Sequence, residues 1–131
     1  MLKSSGKLKL FNKWVLLECD RSIAQYYCSL YSMEYFYKPK IQIPLWGAHI
    51  SVVRGEILLS QFKDEIQGME IEFYYVNTMF TNGVHFWLPV ICPILDDIRE
   101  LFGLGRGYVN YHLSIGNIAN GTGETPPEVF I

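Results

Sequence analysis

Residues 47–54 read GAHISVVR, Gly47 through Arg54, and this octapeptide anchors the fold. Ile50, Val52 and Val53 are β-branched, so the stretch predicts a strand that Gly55 ends. Strand side chains alternate at a period of two, which puts His49 and Ser51 on one face and Ile50 on the other. Upstream, Lys13 to Glu18 (KWVLLE) is an apolar run bounded by polar residues and predicts a buried strand. Asp20 or Ser22 then caps a helix reaching about Tyr37, stopped by Pro39, with Ile23, Tyr26, Tyr27 and Leu30 on an apolar face. Downstream, Glu56 to Gln67 fits either a short helix or an irregular excursion. Met69 to Val76 (MEIEFYYV) alternates, and Asn82-Gly83 signals a hairpin turn before Val84 to Ile91, so these two segments are expected to pair antiparallel.

Pro93 suits the first turn of a helix carrying Ile94, Leu95, Ile98, Leu101 and Phe102, with Asp96 and Asp97 at its positive end and Gly103 as terminator. The glycine-rich loop Gly103 to Gly107 lacks the lysine and the strand-to-helix setting of a phosphate loop, and leads into a last strand, Tyr111 to Ile115 (YHLSI). Residues 1–9, with Ser4, Ser5 and Gly6, and residues 120–131 are expected to be extended or flexible. The order strand, helix, strand, hairpin, helix, strand describes a single α+β domain over 1–131 with mainly antiparallel sheet.

Composition bounds the function. At 131 residues, half of them apolar and 15% aromatic, the chain suits one packed core. Eleven basic against thirteen acidic side chains give a formal charge of −2, which leaves no broad cationic field for long duplex nucleic acid. Apolar runs broken by Pro44, Pro89 and charges give no membrane span, and Trp14 to Leu17 is too short for a signal core, so a cytoplasmic protein with no membrane partner is expected. Cys19, Cys28 and Cys92 are odd in number and lack Cys-x-x-Cys spacing, which predicts buried thiols rather than a disulfide or zinc framework.

Two of the three histidines share one local pattern, His49-Ile-Ser51 and His112-Leu-Ser114, both in predicted strands. Chance neighbours of this kind arise from composition about once in forty sequences. If the strands adjoin, an anion between them meets two imidazoles that exchange protons near neutral pH and two hydroxyls that donate hydrogen bonds. Phosphoryl transfer needs that set: a base at the attacking oxygen, an acid at the leaving oxygen and donors for the charged non-bridging oxygens. The scheme needs no metal or other cofactor. The alternative is two half-buried strand histidines bonded to nearby hydroxyls.

With these motifs the sequence resembles the 2H phosphoesterases, whose signature is two H-x-[ST] motifs. The resemblance runs from the first strand to Gly116 and includes PLWGAHISVVRGE at Pro44 to Glu56, FWLPVICPILDDIRELFGL at Phe86 to Leu104 and YHLSIGN at Tyr111 to Asn117. It is similar to a small phage-type branch, RNA-repair-like "Swiss Army knife" proteins related to phage anti-CBASS phosphodiesterases that cut cyclic oligonucleotide signals. The resemblance implies a two-lobed, pseudo-symmetric fold with a central cleft, His49 and His112 as acid/base pair, and Ser51 and Ser114 on the phosphate. It implies as substrate a cyclic oligonucleotide or a small 2′,3′-cyclic or 2′-5′-linked nucleotide. A binding module that sequesters the same ligand, or an RNA-end-binding module, is the competing reading.

Other residues border the motifs. Arg54 lies five places past His49 and on an unbroken strand faces away from it; a bulge at Gly55 or a strand end would turn it toward phosphate, and otherwise it takes a solvent or ion-pair role. Trp46, Phe86, Trp87, Tyr108 and Tyr111 flank the motifs, and Trp46 and Tyr108, in loops entering the motif strands, are the best placed to stack on a base, with Tyr111 also a substrate-binding candidate. His85 has no hydroxyl two places on and is expected to be structural. Asp96, Asp97 and Glu100 are expected on the exposed side of their helix, away from any metal.

Overall fold

The computed structural model describes residues 1–11, 14–34, 41–44, 47–54, 66–106 and 110–118. Its elements are β1 (Leu2–Phe11), β2 (Trp14–Cys19), α1 (Arg21–Glu34), β3 (Ile41–Gln42), β4 (His49–Arg54), β5 (Glu70–Tyr75), β6 (Phe80–Thr81), β7 (His85–Ile91), α2 (Ile94–Leu101) and β8 (His112–Ile118). All strand pairings are antiparallel, in the order β3-β8-β4-β2-β1-β5-β7-β6. A further β7–β8 pairing closes β8, β4, β2, β1, β5 and β7 into a six-stranded barrel, to which two helices are added. The α+β class and the mainly antiparallel sheet expected from the sequence are therefore present.

Local chemistry accounts for the boundaries. Asp20 rather than Ser22 caps α1, its Oδ1 accepting the Ser22 N–H at 2.9 Å. Pro93 precedes α2, where a missing N–H costs nothing, and Asp96 and Asp97 occupy its first turn. The expected pairing of the two segments around Asn82-Gly83 holds at Tyr74 with Ile91 and Tyr75 with Val90, while the turn itself joins β6 to β7. Gly83 has φ +94°, and the Asn82 side chain accepts the N–H groups of Val84 and His85, so this turn uses both residue types for their usual reasons.

One expectation is corrected at the start of the chain. Residues 1–9 are not a loose end: Leu2–Phe11 is paired along both edges, with β2 and with β5. Its alternation, Leu8 and Leu10 against Lys7 and Lys9, satisfies one core face and one solvent face, and Gly6 is closely approached. At Gly6 an added Cβ would stand 2.7 Å from the Glu18 carbonyl oxygen and 2.8 Å from Leu17 Cγ. Gly6→Ala is therefore expected to cost about 1–3 kcal/mol of stability by overpacking against backbone, checked by the shift in urea midpoint at unchanged slope. The Glu56 to Gln67 segment lies outside the described residues up to 65, and so do residues 119–131.

The core lies on one face of the continuous sheet. Leu8, Leu17, Ile50, Phe73, Leu88 and Leu113 converge there and are 1% exposed or less. From α1, Ala24, Tyr27 and Cys28 pack on this face, and from α2 and its C-cap, Leu95, Ile98 and Phe102 do the same. Cys19, Cys28 and Cys92 are free and buried, as expected. The opposite face carries Lys3, Lys7 and Lys9 on β1, and it is this second face that bears the motif side chains on β4 and β8.

Candidate functional site

The two motif strands are direct neighbours. β4 and β8 pair antiparallel with His49 opposite Ser114 and Ile50 opposite Leu113, and strand alternation puts Ser51 and His112 on the same face as that first pair. His49 thus stands across from the serine of the other motif. Directly opposed Cβ atoms on paired strands lie about 5 Å apart and diagonal ones about 7–8 Å, so the four side chains are close neighbours on one face. Ile50 and Leu113, on the other face, are fully buried in the core and lock this register.

Both imidazoles are anchored in the same way. His49 Nδ1 lies 2.9 Å from the Gly47 carbonyl oxygen, and His112 Nδ1 lies 3.1 Å from that of Asn110, in each case two residues back. A carbonyl oxygen only accepts, so Nδ1 carries the proton and Nε2 keeps the lone pair in both rings. Gly47, at φ +69° with its N–H on the Pro44 carbonyl, supplies the left-handed backbone that aims its own carbonyl at His49.

Burial sorts the site into floor and mouth. His49, Ser51 and Ser114 are 0%, 2% and 1% exposed, whereas His112, Arg54 and Trp87 are only partly buried. The Ser51 and Ser114 hydroxyls are buried with no hydrogen-bond partner among the described residues. Buried hydroxyls are ordinarily bonded, so these two donors keep hydrogen-bonding capacity that no described group uses. Burial pushes the His49 pKa down to about 4, opposed by the Gly47 carbonyl and reinforced by the Arg54 charge. His112 is also pushed down to about 4, by burial first, against the Asn110 carbonyl and together with the charges of Arg54 and His49.

Arg54 belongs to this group through a bulge three positions earlier than Gly55. Opposite β2, Leu16 faces Ser51 while Val15 faces Val53, so Val52 is the extra residue. The slip reverses the alternation and returns Arg54, opposite Trp14, to the face of His49 and Ser51. The same device recurs on β8. Trp87 faces Ser114 while Phe86 faces Gly116, so Ile115 is the extra residue and Asn117, opposite His85, turns back to the face of His112 and Ser114. Each motif strand therefore runs His-x-Ser, one bulged residue, one core-facing residue, then a polar side chain on the motif face.

The remaining candidates occupy definite places around the motif face. Trp87, not singled out among the flanking aromatics, lies opposite Ser114 with its ring centroid 5.5 Å from that of His112. His85, expected to be structural, lies on the same face beside Trp87. Tyr111 points away from His112: its hydroxyl donates to Asp96 Oδ1 at 2.9 Å, and burial with the Asp96 charge holds that hydroxyl protonated. This bond ties the residue before β8 to α2. Asp97 and Glu100 pair with Arg106. Trp46 and Tyr108 lie outside the described residues. Alternation from His85 to Trp87 is legible in the sequence and was the available signal for both; the bulges have none.

Among the described residues no helix is long and apolar enough to cross a membrane. No three His, Cys, Asp or Glu side chains among them are grouped to hold a metal ion. Comparison with protein-family models, with curated proteins and with solved structures finds no match for this chain.

Proposed function

We propose that the chain is a metal-independent phosphodiesterase of the 2H type, in a two-lobed, pseudo-symmetric arrangement centred on the β4–β8 pair. Its substrate is a cyclic oligonucleotide or a small 2′,3′-cyclic or 2′-5′-linked nucleotide. The observation that carries the reading is the register that sets His49 across from Ser114, with both rings held by their Nδ1 and both Nε2 atoms left as the reactive nitrogens. The repeated bulge after each motif supports the pseudo-symmetry.

For a 3′-5′ bond, one Nε2 takes the proton of the adjacent 2′-hydroxyl as that oxygen bonds to phosphorus. The other, protonated, gives its proton to the departing 5′-oxygen, and the product carries a 2′,3′-cyclic phosphate. Ser51, Ser114 and Arg54 hold the non-bridging oxygens. In the free protein both rings are neutral at pH 7, because both titrate near 4. An anionic phosphate between them favours the charged form and raises one of the two into the acid's role. The same neutrality and the full burial of His49 favour, as a second reading, a module that binds the nucleotide without cutting it.

The test is incubation of purified protein with EDTA and a panel of cyclic dinucleotides, cyclic trinucleotides and 2′,3′-cyclic mononucleotides, analysed by chromatography beside His49→Ala/His112→Ala. Cleavage by the wild type alone is the expected result. Intact ligand recovered from a stable complex supports the binding module instead, and neither cleavage nor binding overturns both readings.

A further inference from the structure

The bulge that brings Arg54 to the histidines is held from the far side of the sheet. Arg99, on α2, is 1% exposed, and its Nη1 donates to the Val52 carbonyl at 2.8 Å while its Nε donates to the Gly105 carbonyl at 3.1 Å. Val52 is the extra residue that the β2–β4 ladder skips, so its backbone needs a partner outside the regular ladder. A buried guanidinium is a costly way to supply one: it leaves water for an apolar core, and an apolar side chain of similar size would pack there without that penalty. The planar fork repays the burial in geometry. It ties two backbone points, one beside Ser51 and Arg54 and the other in the loop that leads toward His112. On the other motif strand the skipped residue is treated alike, its Ile115 carbonyl accepting the Cys28 thiol of α1 at 3.4 Å. Each helix thus sends one buried side chain to the carbonyl of one bulge.

We infer that Arg99 is a positioning residue of the site: by fixing the bulge at Val52 it holds Arg54 on the face of His49 and His112, where the guanidinium meets the anionic group of a phosphodiester. The inference rests on the proposed phosphodiesterase site for its meaning but not for its test. Arg54 charge bears on both histidines, so the histidine titrations followed by NMR report where Arg54 points, with or without turnover. Glu18, across from His49 on β2, is the same in every variant.

The experiment is a double-mutant cycle over Arg99→Lys and Arg54→Met, read on the ring proton shifts of His49 and His112 against pH. Arg99→Lys keeps the buried charge and loses the fork, so it tests geometry; Arg99→Met is the second variant. Arg54→Met is expected to raise both titration midpoints by roughly half a unit or more, through loss of a like charge. Arg99→Lys is expected to reproduce most of that rise in the presence of Arg54 and to add nothing in its absence. A rise that persists undiminished in the Arg54→Met background, or no rise at all in a folded Arg99→Lys protein, overturns the positioning role. A panel without cleavage alongside an intact cycle would sink the phosphodiesterase reading alone.

Discussion

His49→Ala and His112→Ala are each expected to lower turnover of a cleaved phosphodiester by about 10²–10⁴-fold while leaving the fold in place. In the proposed mechanism both side chains act at the reacting oxygens, so the loss should fall on kcat, with a small change in KM. The double substitution should cost little more than the worse single one, because an acid without its base already breaks the concerted transfer. Ser51→Ala and Ser114→Ala remove donors to the non-bridging oxygens and should cost less than either histidine. Single-turnover kinetics with circular dichroism on each variant check this. A His112→Ala protein that is folded and within tenfold of wild type would remove His112 from the chemistry.

Acid should destabilise the protein in a window set by its histidines. His49 and His112 titrate near 4 in the folded chain against 6.5 when exposed, and burial lowers His85 in the same direction. The unfolded chain therefore binds more protons than the native one as pH falls below 6.5, so stability present above 6.5 is lost progressively toward pH 4. For the fully buried His49 the loss over that window is on the order of 3 kcal/mol; His112 adds a smaller amount because solvent screens it. Asp20, lowered by the Ser22 N–H, acts in the same direction but only below its ordinary value of 3.8, outside the window. Urea midpoints measured from pH 7.5 to 4.5 should fall steadily in the wild type, and His49→Asn should flatten that decline. A midpoint constant across this range would contradict the neutral burial of His49, whatever the protein's activity.

Much of the fold was legible because it is local. Alternation in GAHISVVR and YHLSI, the asparagine-glycine turn, the Asp20 cap and Pro93 each act within a few residues, and each puts an element where the structure has one. Alternation also placed His49 with Ser51 and His112 with Ser114 on one face each. β1 escaped notice because Ser4, Ser5 and Gly6 look like a frayed end; only where Gly6 lies between β2 and β5 does its small size become a packing requirement.

The sequence by itself determined the two H-x-S strands and the chemistry their side chains can perform. Tertiary structure alone decided that the strands adjoin, that His49 faces the other motif's serine, and that Arg54, Asn117, His85 and Trp87 share their face while Tyr111 does not. The physical reason lies in the bulges. Which residue a ladder skips depends on the registers that the buried faces of β2 and β7 impose, and on helices that offer Arg99 and Cys28 to the skipped carbonyls from far along the chain. A period of two predicts a face only as long as the ladder is unbroken, and where it breaks is a property of the partner strand.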